Sequence, residues 1–100
     1  MTQRTVQSPT QTDTANNAAD AVSVGTSSGT LVAANPSRVA VYIVNDHASQ
    51  IVYLALGATA TANKGIRLSA AGGSVVISSY TGAISAIASG AATTVVFSEV

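Results

Sequence analysis

From Ala21 onward the chain falls into short runs of Val, Ile, Tyr and Thr, interrupted at regular intervals by clusters of Gly, Asn, Asp and Ser. No stretch keeps a helical period, and the rhythm is that of antiparallel β-structure. The runs predict strands over Ala21–Val24, Thr30–Ala34, Arg38–Asn45, Ile51–Leu56, Gly65–Ser69, Ser74–Ser78, Ala83–Ala88 and Thr93–Glu99. Each gap carries turn chemistry. Gly25 and Gly29 bracket a serine pair, and Asn35-Pro36-Ser37 stops pairing because proline has no amide hydrogen to donate. Asn45-Asp46-His47-Ala48-Ser49 is expected to close a hairpin between the two longest apolar strands, since Asn and Asp tolerate left-handed backbone and bond their own loop amides. Further turns fall at Asn63-Lys64, Ala71-Gly72-Gly73, Tyr80-Thr81-Gly82 and Ser89-Gly90-Ala91. Seven or eight short strands over residues 21–100 predict an all-β domain, a small antiparallel β-sandwich or jelly-roll-like module.

Residues 1–20 read differently. Thr2 to Asp20 is rich in Thr, Gln, Asn and Ala, carries Pro9, and has Val6 as its one sizeable aliphatic residue. Such a segment buries too little to offset its own ordering, so it is expected to be an extended or flexible N-terminal arm. A helical turn over Thr14 to Ala19, capped by Asp13, is the one local structure its composition suggests.

Composition narrows the partners. One hundred residues suit one domain plus a tail, and 47% of them are hydrophobic while only 8% are charged. Arg4, Arg38, Lys64 and Arg67 are too few and too scattered to neutralise a phosphate backbone or an anionic membrane, so neither nucleic acid nor membrane is an expected partner. The formal net charge is zero, which gives a monomer little protection against self-association. Without cysteine there is no disulfide framework, and stability rests on apolar burial and backbone pairing. Residues 1–20 lack the basic and apolar regions of a secretion signal, and no run approaches the roughly 20 apolar residues that span a bilayer, so a soluble product is expected.

Several strands are apolar on both faces. Val39, Val41 and Ile43 alternate with Ala40, Tyr42 and Val44, and Ile51, Tyr53 and Ala55 alternate with Val52, Leu54 and Leu56. A small sandwich ordinarily leaves one face of each sheet polar, so a second subunit is the expected cover. The plainer alternative is that small residues such as Ala40, Ala55 and Ala86 make an outer face that is only mildly apolar. The candidate interface residues are Val41, Tyr42, Tyr53, Leu54, Arg67 and Tyr80 in the body, with Val6 and Pro9 in the arm.

A search for chemistry finds little. His47 beside Asp46 is the one base–carboxylate pair, but a turn histidine is more often solvated. Gly25-Thr26-Ser27-Ser28-Gly29 has the Gly-x-Ser-x-Gly spacing but is a turn between two predicted strands with no helix after it, which is not the setting of a nucleophile elbow, and Lys64 precedes its glycine where a phosphate loop has it following one. Asp13, Asp20, Asp46 and Glu99 lack the spacing of a calcium loop. Tyr42, Tyr53, Tyr80 and Phe97 are too few for a stacking platform. Arg38 and Arg67 are expected to pair with Asp46 or Glu99 across strands or subunits. The chain is therefore expected to be no enzyme and to use no cofactor or metal.

From Ala34 to Val100 the order of features resembles a known group of proteins. Asn35-Pro36-Ser37-Arg38 leads into Val39 to Asn45 and Ile51 to Gly57, followed by Asn63-Lys64-Gly65-Ile66-Arg67-Leu68 and Gly72-Gly73. Tyr80-Thr81-Gly82-Ala83-Ile84-Ser85-Ala86-Ile87 and Val95-Val96-Phe97-Ser98-Glu99-Val100 complete it. The pattern is similar to that of small β-rich virion proteins of tailed bacteriophages. The resemblance covers about two thirds of the chain and rests on turns and strands, so no catalytic residue is carried over. It implies a structural component of the virion, foremost a capsid decoration protein. Such proteins commonly form a homo-oligomer, with a trimer favoured, and bind the major capsid protein through an arm and sheet edges. A neck, tail or fibre subunit is the alternative the resemblance allows, and a glycan-binding adhesin module is the alternative from another class.

Overall fold

A computed structural model describes residues 21–100; the expected arm, with Val6, Pro9 and the helical turn after Asp13, lies outside the described residues. Eight strands form: β1 (Ala21–Val24), β2 (Gly29–Val32), β3 (Ala40–Asn45), β4 (Val52–Leu56), β5 (Ile66–Leu68), β6 (Ser74–Ser78), β7 (Ile84–Ala88) and β8 (Thr93–Glu99). They make two four-stranded antiparallel sheets, ordered β1-β8-β3-β6 and β2-β7-β4-β5.

The order has a simple origin. β1 pairs with β8, β2 with β7, β3 with β6 and β4 with β5, as in one long hairpin whose two arms each hold four strands. Rolling that hairpin on itself adds the β3–β8 and β4–β7 pairs. The result is the eight-stranded jelly roll, the second of the two architectures the turn rhythm predicts. Only β4 and β5 are neighbours both in sequence and in a sheet; every other connection crosses from one sheet to the other.

That crossing corrects one expectation. Asn45 to Ser49 does not close a β3–β4 hairpin, because β3 and β4 belong to different sheets. The turn is an arch across the sandwich, and Asn45 at its root explains how it holds. Its fully buried side chain donates through Nδ2 to the carbonyls of Gln50 (2.7 Å), Leu68 (3.1 Å) and Ser69 (3.2 Å), while Oδ1 accepts from the His47 amide. These bonds tie the start of the arch to the end of β5, in the opposite sheet.

Alternation fills the core. Val41 and Ile43 of β3, Val52 and Leu54 of β4, Leu68, Ile84 and Val95 face inward and are essentially sealed from solvent. Pairs such as Val52–Leu68 and Leu54–Ala86 stand opposite one another across the second sheet. In β2 the register shifts between Thr30 and Val32, so Leu31 and Val32 are both buried. Val41 and Leu54, two of the expected interface residues, are therefore core residues with no surface for another subunit. Gly65 permits the tight return into β5: its φ is 81°, and a Cβ there would lie 2.2 Å from the Leu54 carbonyl oxygen.

Candidate functional site

The two outer faces of the sandwich differ. On β4, Tyr53 points outward opposite Arg67 and Ile87, yet it is only 9% exposed. Its hydroxyl donates to Asn63 Oδ1 at 3.0 Å, and Ala60, in the same β4–β5 connection, is buried with its amide bonded to Ser28 Oγ. The chain thus supplies its own cover for part of this face, where two-sided apolarity predicts a second subunit. Arg67 is exposed and reaches the Ser69 hydroxyl at 3.1 Å; the expected carboxylate pairing is not what it makes.

The other sheet has no such cover among the described residues. Tyr42 on β3 stands directly opposite Val76 on β6, and the two are 48% and 61% exposed. Val44 and Val96, partly exposed, continue the same outward row, with Ser23, Ser74, Ser78, Thr94 and Ser98 around them. Among the described residues the only charged member of these four strands is Glu99, and it shares the inward side with Val41. Among the described residues this sheet face consists of uncharged side chains, so it lacks the charges with which exposed faces and edges oppose association. Among the described residues no carboxylate stands on this outward face beside Tyr42, where a sugar-gripping ring would use one.

Arg38 does a different job. Its guanidinium is buried at one end of the sandwich, and five bonds engage its donors. Nε and Nη2 donate to the Tyr80 carbonyl (3.2 and 3.0 Å), Nη2 also to Gly82 (2.7 Å), and Nη1 to the Ala33 carbonyl (3.2 Å) and Glu99 Oε2 (2.8 Å). The expected Arg38–Glu99 pair therefore forms within one chain. Tyr80 belongs to this cluster: it is half-buried, and its hydroxyl donates to the Ala83 carbonyl at 2.8 Å, bracing the 79–83 turn. These are structural roles, fixing three chain segments with charge-assisted bonds.

His47, the one histidine, is also occupied structurally. Nδ1 accepts from the amides of Ser49 and Gln50, both at 3.1 Å, so the ring caps its own arch. Among the described residues no three His, Asp or Glu side chains gather as metal ligands would. A shallow, open depression lies beside Ser28, Thr30, Gly57, Thr59 and Ser85, with no titratable side chain on its wall. Comparison with family models, with curated proteins and with solved structures finds no match, so the architecture and its surfaces carry the functional reading.

Proposed function

We propose that this protein is a non-enzymatic, self-associating structural subunit of a bacteriophage particle, of the capsid decoration kind. The observation that carries the reading is the uncharged outer face of β1-β8-β3-β6, with Tyr42 and Val76 exposed side by side on a jelly roll. Jelly rolls serve as shell and coat modules because their rigid two-sheet body presents faces and edges to neighbours, and fold analogy here agrees with the resemblance noted from Ala34 to Val100. In this reading the major capsid protein is the partner. Residues 1–20 take part in the attachment to the shell, with Val6 and Pro9 as its candidate contacts. The virion is the place of action.

The test adds purified chain to shells of the encoding phage that were assembled without it, and recovers the shells by sedimentation. Saturable binding at a fixed ratio to capsid subunits is the expected result. Binding to isolated tails or necks, with none to shells, would move the protein to the neck, tail or fibre alternative. Absence from every particle component would overturn the reading.

A further inference from the structure

We infer that β6 is a self-recognition edge, by which two copies of this chain join their sheets about a two-fold axis centred on Val76. The inference rests on the proposed self-association and names the part of the molecule that performs it.

A sandwich of two four-stranded sheets has four edges, and here three are protected. β5 is three residues long with Arg67 at its middle. β2 is four residues long, has an irregular register, and lies next to Ser28, which holds the β4–β5 connection through Ala60. β1 is four residues long and is preceded directly by Asp20. Short length, charge, irregularity and covering are the devices that keep sheet edges from pairing with other chains. Among the described residues β6 has none of them. It is five residues long, Ser-Val-Val-Ile-Ser, with five regular partners on β3 and no Pro, and from Leu68 to Ser98 the chain has no charged residue.

The backbone of β6 says which groups are on offer. Ser79 donates to the Val39 carbonyl and Asn45 donates to the Gly73 carbonyl, so positions 73, 75, 77 and 79 form the hydrogen-bonded pairs with β3. The amides and carbonyls of Ser74, Val76 and Ser78 therefore point away from the sheet, three donors and three acceptors in a row. Placed antiparallel against a second copy and centred on Val76, the strand sets Val76 opposite Val76, Ser74 opposite Ser78 and Val75 opposite Ile77. That register satisfies all six outward groups of each copy, and the sequence is symmetric in chemical kind about its centre. On the outer face it joins the two Tyr42–Val76 pairs into one apolar cluster. The product is a continuous eight-stranded sheet, well within the range of open sheets. A five-residue edge is small beside the roughly 1,200–2,000 Å² of stable complexes, so the pairing is reversible and concentration-dependent.

The experiment uses the full chain. Sedimentation across a concentration series is expected to show a monomer–dimer equilibrium, and Val76→Lys is expected to weaken it at least roughly tenfold, because two like charges then face each other. Thr61→Lys, which puts the same charge on an exposed site in the β4–β5 connection of the other sheet, is expected to dimerise like the parent. Since the chain has no cysteine, register is read directly: Val76→Cys is expected to form a disulfide dimer under mild oxidation, Ser74→Cys not, and the Ser74→Cys/Ser78→Cys double variant again to do so. Oligomers that persist unchanged in Val76→Lys, or equal cross-linking of Val76→Cys and Ser74→Cys, would overturn the edge while leaving self-association intact. A parent chain that stays monomeric throughout would sink both. If Val76→Cys fails to cross-link and the amides of Ser74, Val76 and Ser78 resist hydrogen exchange at high dilution, residues 1–20 of the same chain occupy the edge and the two-fold is wrong.

Discussion

At the scale of single residues, the side chains with the most at stake are buried polar ones. Arg38 satisfies three backbone carbonyls and Glu99 from a site with no solvent access. Arg38→Ala would remove its bonds to all of these at once, and a loss of about 3–5 kcal/mol is expected by urea unfolding. Arg38→Lys should recover only part of it, because one ammonium cannot reproduce a planar fork aimed at several acceptors. Recovery of full stability by lysine would show that charge alone matters there. Backbone strain gives a prediction of the opposite sign. Ala92 is exposed and has φ 57°, a conformation that costs an L-residue about 1–2 kcal/mol. Ala92→Gly removes that cost at the expense of a more flexible unfolded chain, and thermal unfolding is expected to show a net gain of about 0.5–1 kcal/mol.

At the scale of elements, the strands were legible and their partners were not. β1, β6 and β8 have the bounds that the sequence pattern predicts, and the others shift by one or two residues, β3, β4 and β7 at the start and β2 and β5 at both ends. Alternation records which way side chains point, not which strand lies alongside, so it could not tell an arch from a hairpin at Asn45 to Ser49. The deciding group is the Asn45 amide, whose acceptors on Leu68 and Ser69 are remote in sequence. Asn45→Ala is expected to cost about 1–3 kcal/mol by taking this donor from the Leu68 and Gln50 carbonyls, while Ser69 keeps the Gly73 amide, and Asn45→Asp more, since a carboxylate cannot donate. An Asn45→Asp variant as stable as the parent would mean that the amide does not hold the arch. The candidate site was half legible for the same reason. Two-sided apolarity marked both β3 and β4, and only the structure separates Tyr53, tied down by Asn63, from Tyr42, left open beside Val76. That Ser74 to Ser78 forms a strand was readable; that it is an edge is a fact of strand order, and strand order is set by contacts between distant parts of the chain.

At the scale of the whole molecule, the chain's two ends are unequal partners. Among the described residues the first strand is an edge, paired only with β8, whereas the last strand lies between β1 and β3. Every pair except β4–β5 joins strands far apart in sequence, so the sheet closes late and folding on the millisecond-to-second scale is expected. Removing residues 93–100 takes a central strand from one sheet, with buried Thr93 and Val95 and the carboxylate that pairs Arg38, and it removes the described pairing partner of β1. None of the eight described strands comes from residues 1–20. The expected outcome is a chain of residues 21–100 that unfolds cooperatively with the parent's midpoint to within a few degrees but binds shells more weakly, against a chain of residues 1–92 that has no cooperative transition. Near-ultraviolet circular dichroism with calorimetry decides between them. If the 21–100 chain fails to fold, residues 1–20 are part of the core and not a tether, and the uncharged face beside β6 is where they would be sought.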